Sequence, residues 1–278
     1  MTLYDDICTF LAGKGLEHTA GDTCGHGVIQ VGDFPCIIPV TICSKDISQA
    51  ENESEALKEA IGHIMKTSGK YPLIITEDRW RLHSRMMRHR LLAHLNIFTP
   101  IYARNCEVRK IDKQTASAFL SANHSYGDAA CRYRYGLFLK RHTGHNSGSV
   151  DIVPGTLVAV ATFSNARKWI KGDKVIRSYE WTRYASLPEV RLSGGMGKLL
   201  TAFIEDVKPD DIMTYADLEW SEGKVYEALG FKLEGHKEAV RFVIDNNWKR
   251  TAYQEHGEVM YFQNLGSNKY RLKLTDYQ

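Results

Sequence analysis

The sequence predicts an α/β (α+β) protein made of two parts, a small N-terminal α/β segment and a larger mixed central sheet. Three observations lead there. Helical and extended apolar patterns alternate along most of the chain, and glycine and proline punctuate them at element length. The third is an uneven division of charge. Up to Asp78 the chain has five Lys, no Arg and twelve acidic residues, a net of −7; beyond it 31 basic residues face 21 acidic ones, a net of +10. The total of +3 hides this division, which points to two modules, the second suited to an anionic partner. With 278 residues, 43% apolar and 25% charged, the composition excludes general disorder.

No apolar run approaches the ~18–20 residues that cross a bilayer, and the N-terminus lacks a basic and then apolar leader, so a cytoplasmic protein without membrane contact is expected. The six cysteines, at 8, 24, 36, 43, 106 and 131, form no CxxC pair. Reduced thiols and no metal are the expectation.

Residues 3–15 place Leu3, Ile7, Phe10 and Leu11 on one helical side. Extended runs follow at 28–31 and 36–43, a helix at 46–67 with Leu57, Ile61, Ile64 and Met65 in register, and a buried strand from Leu73. This α-β-β-α-β order is that of a nuclease core, with Asp33 and Lys45 on successive strands. Cys43, however, stands where a second metal-binding carboxylate is needed, and a thiol is a poor ligand for a hard cation, so an accessory or dimerisation unit is preferred. Residues 79–94 carry five Arg and three His around Leu82, Met86, Met87, Leu91 and Leu95. They read as a basic amphipathic linker helix, either a solvated face or a phosphate-contacting one through Arg85, Arg88 and Arg90.

Beyond Pro100 the order is β-α-β-β-β-α-β-α-β-β: strands at 101–111, 132–140, 156–163, 178–185, 211–217, 231–234 and 239–244, with helices at 112–120, 198–207 and 221–229. A Gly/Ser/His-rich stretch at 142–155 reads as a loop. Ser193-Gly194-Gly195-Met196-Gly197 opens the helix that begins at Lys198. A strand entering a glycine-rich turn and a helix is an anion site, because backbone N–H groups and the helix N-terminus face the ligand. After the next strand, Tyr215-Ala216-Asp217, comes a helix ending Tyr226-Glu227-Ala228-Leu229-Gly230-Phe231.

Over residues of about 104–245 this combination resembles the GNAT superfamily of acyltransferases, whose signature is Q/R-x-x-G-x-G/A followed by Y-x-x-x-G-F. Gly195 and Gly197 match its glycines, and Tyr226 to Phe231 match the second motif. Leu192 stands at the Gln/Arg position, with Arg191 one residue early. The resemblance implies acetyl-CoA or a related acyl-CoA as donor, held by Ser193 to Lys198, and Tyr226 as the acid that protonates the thiolate. A narrower likeness links 101–109, Phe119-Leu120, Asn123-His124, Gly127, Tyr179-Glu180-Trp181-Thr182-Arg183 and Glu77-Asp78-Arg79-Trp80 to the C-terminal region of phage mobile-endonuclease-like proteins. Ala216, Asp217, Gly223, Val225, Tyr226 and Ala228 are similar to Mom-type phage proteins, GNAT-like enzymes that modify adenine in DNA at its exocyclic nitrogen.

These parallels nominate Asp217, at a strand end beside the splayed centre of the sheet, to orient the acceptor amine or take its proton. Glu180 and Arg183 are three apart on one strand and are expected on opposite faces, Glu180 as base or Arg183 as anion contact. His124 is a further base or a loop hydrogen-bonder. The expected organisation is 1–78 accessory, 79–99 linker helix, 100–245 GNAT-like and 246–278 C-terminal extension. Three functions follow: a phage-type transferase acting on an amine such as adenine N6 in DNA, a nucleic-acid-binding scaffold without catalysis, or an acetyl-CoA-dependent N-acetyltransferase for a small amine or peptide.

Overall fold

A computed structural model describes residues 2–141, 152–253 and 259–277; of the expected loop, 142–151 lie outside the described residues. The first elements are α1 (Leu3–Ala12), β1 (Thr19–Thr23), β2 (His26–Gln30), β3 (Ile37–Val40), α2 (Ile47–Ser68), β4 (Leu73–Thr76), α3 (Glu77–Leu82) and α4 (Ser84–His94). Next come β5 (Thr99–Tyr102), β6 (Cys106–Lys110), α5 (Lys113–Asn123), β7 (Tyr133–Leu139), β8 (Leu157–Phe163), β9 (Arg167–Lys171) and β10 (Lys174–Ser186). The chain continues through β11 (Val190–Ser193), α6 (Gly195–Val207), β12 (Asp211–Asp217), α7 (Lys224–Ala228) and β13 (Lys232–Lys237). It closes with β14 (Arg241–Ile244), β15 (Arg250–Ala252), β16 (Met260–Gln263) and β17 (Ser267–Lys273).

The contacts divide the chain into two compact units, neither continuous in sequence. The first holds residues 1–96, 216–223 and 236–268; the second holds 97–215, 224–235 and 269–278. The boundaries therefore differ from those expected at 78, 99 and 245. The arginine-rich segment belongs with the acidic segment before it, so the charge boundary is not a unit boundary.

In the first unit four strands run in the order β1-β2-β3-β4, antiparallel except for the parallel pair β3–β4. Alternate residues face opposite sides. Ile37 and Ile75 pack with Leu3, Ile7 and Leu11 of α1, while Ile38 and Ile74 pack with Leu57, Ile61 and Ile64 of α2. Thr2 and Asp5 form a capping box on α1, and Asp46 caps α2, so two orphan helix ends are satisfied locally. The single basic helix expected over 79–99 is two helices, broken at His83 with φ −117° and ψ 42°. A second, smaller sheet, β15-β14-β16, buries Ile244 and Phe262 beside Ile42.

In the second unit the sheet order is β13-β17-β12-β10-β8-β7-β6, with β9 added to β10. The expected C-terminal extension is thus not an appendage, because β17 is inserted between β12 and β13. Helix α5 covers one face, Ala116 and Leu120 packing with Val160 and Ala185. Helix α6 lies on the opposite face, where the Phe203 ring stacks on Phe163 at 3.8 Å and 2°. Strands β5 and β11 form a separate parallel pair that delivers the chain to α6.

Candidate functional site

Strands β10 and β12 are parallel neighbours, and their register covers only Ser178↔Asp211, Tyr179↔Ile212 and Glu180↔Met213. Past Glu180, β10 stays with its antiparallel partner β8 as far as Ser186. The two parallel strands part there, and Thr214 Oγ1 donates to the Trp181 carbonyl at 3.1 Å across the opening. Where they join, fully buried Asp211 clamps them, accepting from Ser178 Oγ, Arg271 and Tyr277.

The glycine turn is in place. After Ser193, Gly194 adopts φ 76° and ψ 3°, a conformation that glycine takes without strain, and no side chain caps α6. The first N–H groups of α6, at Gly195, Met196 and Gly197, are thus presented by backbone geometry alone. Leu192, the residue at the Gln/Arg position, brings no polar group to this end of the helix, and Lys198, expected to hold the donor, turns its ammonium to main-chain carbonyls. Leu192 lies over Gly195, where a Cβ would stand 2.4 Å from its Cδ2. Lys198 Nζ donates to the carbonyls of Ala103 at 2.9 Å and Cys106 at 2.6 Å. Gly197 approaches Leu229 of α7, with 3.3 Å from a Cβ position to Cδ2, so this glycine also serves helix packing.

Tyr226, on α7, is half-buried among Trp181, Phe231 and Tyr270, with ring centroids 5.7–6.1 Å away. Burial pushes its phenol up, against a smaller opposing effect of the Thr214 side chain. It therefore stays protonated through the neutral range, as a proton donor must.

The opposite-face expectation for Glu180 and Arg183 is overturned. The ladder pairs Trp181 with Phe163 and Arg183 with Thr162, so two steps on β10 match one on β8. This bulge adds a residue, Thr182, and resets the alternation, which puts Glu180, Thr182 and Arg183 on the α5 face. Thr162 and Thr182 Oγ1 lie 2.8 Å apart. Arg183 Nε donates to the Gly127 carbonyl at 3.3 Å and Nη1 to Thr182 O at 2.8 Å. Burial lowers its pKa, while Glu180, Tyr126 and Asp128 nearby raise it. His124 ends α5, its Nδ1 accepting from the Tyr126 N–H at 3.1 Å, a loop-forming role that sets the Tyr126–Asp128 segment. Sequence reading missed Asp128, Tyr126, Thr162 and Arg134; register across β7, β8 and β10 identifies the last two, and no local motif does.

Asp217 belongs to the first unit. Its Oδ2 accepts from Arg79 Nη2 at 3.0 Å and its Oδ1 from the Glu219 N–H at 2.9 Å. Arg79 also meets Glu219 at 2.8 Å, and Arg250 bonds Asp78, Glu219 and Thr76. Arg90 is equally buried: it donates to the carbonyls of Ile74, Glu219 and Trp220 and stacks on the Trp220 ring at 4.0 Å. Burial drops its pKa to about 9. Arg90 is therefore removed from the expected nucleic-acid contacts. Arg85 and Arg88 remain exposed on α4, with Arg88 lying over Phe10 and Trp80. Among the described residues no group of His, Cys, Asp or Glu has metal-site geometry, and no helix is long and apolar enough to cross a membrane.

No family model matches the chain, and no curated protein matches it. Solved structures similar to it include several described as acetyltransferases. The Eis1 protein of Mycobacterium abscessus is 16% identical over 49% of this chain, with a TM-score of 0.35, and this chain spans 33% of its length. A GNAT-family acetyltransferase from Bacillus anthracis is 14% identical over 61% of this chain and 95% of its own, at a TM-score of 0.32. The histone acetyltransferase HPA2 and related acetyltransferase of Corynebacterium glutamicum is 12% identical over 86% and 98%, at 0.31. Likeness at this level carries no argument about activity.

Proposed function

We propose that the second unit is a GNAT-type acyltransferase that moves an acyl group from an acyl-CoA to an amine. The observation that carries this reading is the parting of β10 from β12 past Glu180, together with the side-chain-free turn that opens α6. A pyrophosphate fits such a turn through the N–H groups of Gly195, Met196 and Gly197. The donor supplies an activated thioester. Glu180, on the α5 face, accepts the proton of the attacking amine, and Tyr226 holds the proton that the departing thiolate takes. Leu192 and the engaged Lys198 leave the hold on the donor to the backbone, so the affinity rests on a few charge-assisted hydrogen bonds.

Thiol release from acetyl-CoA in the presence of a panel of amines tests the reading. Tyr226→Phe is expected to lower kcat about 100-fold or more with little change in KM for the donor. Acyl transfer at wild-type rate in that variant contradicts the role, and no binding of any acyl-CoA favours the scaffold alternative that Leu192 supports. The narrower acceptor implied by the Mom-type likeness, adenine N6 in DNA, is tested by mass spectrometry of nucleosides from cells expressing the protein. It rests on that likeness and on Arg85 and Arg88, since Arg90 is buried.

A further inference from the structure

Two arginines on the α5 face have no ion-pair partner among the described residues. Thr162 on β8 is in register with Arg134 on β7 on one side and with Arg183 on β10 on the other. Strands lie about 4.8 Å apart, so the two Cα atoms are roughly 10 Å apart on the same face, and both side chains are long enough to converge above Thr162. Arg134 donates to the carbonyls of Cys131 at 2.8 Å and Arg132 at 3.5 Å, and Arg183 to those of Gly127 and Thr182. Both are half-buried. Arg271 in the same unit is paired with Asp211 and Glu234, and the more exposed Arg177 lies 3.6 Å from Asp210. Arg134 and Arg183 are instead braced by main-chain oxygens, which fix a guanidinium without neutralising it. The carboxylates of Glu180 and Asp128 lie near enough to Arg183 to influence it yet do not pair with it. The face therefore carries fixed positive and negative groups side by side.

Resting on the acyltransfer reading, we propose that this face recognises the acceptor, and that the acceptor is a small amine bearing a carboxylate or phosphate a few bonds from its nitrogen. Arg134 and Arg183 hold the anionic group above the half-buried Thr182, over the fully buried Thr162. Glu180 and Asp128 hold the amine, which places it at the bulge where β10 and β12 part. A simple cationic amine gains only the second half of this arrangement. A long polyanion gains only the first.

Two paired comparisons test it: glycine against glycinamide, and phosphoethanolamine against ethanolamine. In thiol release from acetyl-CoA, the anionic member of each pair is expected to show a kcat/KM higher by at least about tenfold, the scale of one lost charge-assisted contact. In Arg183→Gln and Arg134→Gln that ratio falls toward one, chiefly through KM. Whichever pair shows the larger ratio distinguishes carboxylate from phosphate. Equal use of both members, or a ratio that survives in both variants, overturns the proposal, as does transfer to a DNA oligonucleotide with none to the small amines. A second measurement separates this failure from failure of the acyltransfer reading. Titration of glycine and phosphoethanolamine by calorimetry, with no acyl donor present, is expected to show binding that weakens at least about tenfold in Arg134→Gln/Arg183→Gln. Binding that does so supports the site even if no transfer occurs, and absent or unweakened binding contradicts it.

Discussion

The two units treat buried arginine in opposite ways. In the first, Arg79, Arg90 and Arg250 share their surroundings with Asp78, Asp217 and Glu219, three cations against three carboxylates, with the rings of Trp220, Phe242 and Phe262 under the guanidiniums. In the second, Arg134 and Arg183 are braced by carbonyl oxygens and form no ion pair among the described residues, although Glu180 and Asp128 lie close to Arg183. A closed network resists perturbation and joins segments far apart in sequence. An open pair has not used its strongest hydrogen-bonding capacity within the chain, which is the condition for binding something else. The arginine-rich segment changes its meaning too, since Arg79 and Arg90 are buried in the fold and the half-buried Arg81 pairs with Asp6 and Glu77.

The largest expected effect is on the closed network. Arg79→Met leaves Asp217 and Glu219 without their shared cation, and should cost about 3–5 kcal/mol in urea unfolding. A cost under about 1 kcal/mol would show that the network is not closed as described. Gly195→Ala comes next, because the added methyl meets Leu192 and forces it to move. About 1–3 kcal/mol of stability is expected to go, with weaker acetyl-CoA binding, measured by thermal unfolding and calorimetry on one preparation. Stability retained with binding lost would place Gly195 in donor recognition only.

Acid sensitivity sharpens the contrast. Burial pushes the Asp78 carboxyl up, but the Arg250 guanidinium outweighs it and holds the group below its ordinary value. A carboxyl with a depressed folded-state pKa contributes stability above the unfolded value of about 3.9, and that contribution is lost as pH falls further. The first unit should therefore lose stability below about pH 4, and Arg250→Met should move that loss to higher pH in circular-dichroism acid titrations. The smallest effect belongs to the open pair. Arg183→Gln should change stability by no more than about 0.5–1 kcal/mol in either direction, because no carboxylate is orphaned, while acceptor preference changes. A large destabilisation would mean that this arginine is structural too.

Local chemistry made part of this legible. The glycine turn and the alternating apolar strands follow from period, spacing and backbone freedom, the Tyr226 to Phe231 motif was legible only through the family resemblance, and all of these lie in one unit. What was hidden is non-local. β17 enters the sheet between β12 and β13 although it follows β13 in the chain by some thirty residues, and nothing in its own pattern states its neighbours. β1, all polar or small, has no apolar alternation to announce it. The bulge at Thr182 breaks the period-two rule on which the separation of Glu180 from Arg183 depended, and the partners of Arg79 and Arg250 lie 138 and 172 residues away. A lone charged residue gives no sign of whether its counter-ion is inside the fold.

The central claim is that the backbone of the α6 turn receives an acyl-CoA. Amide chemical-shift mapping during an acetyl-CoA titration tests it most directly. The N–H resonances of Gly195, Met196 and Gly197 should move furthest and saturate together, with Tyr226 responding and the closed arginine network of the first unit unmoved. Saturable shifts confined to other segments, or none at millimolar acetyl-CoA, would contradict it.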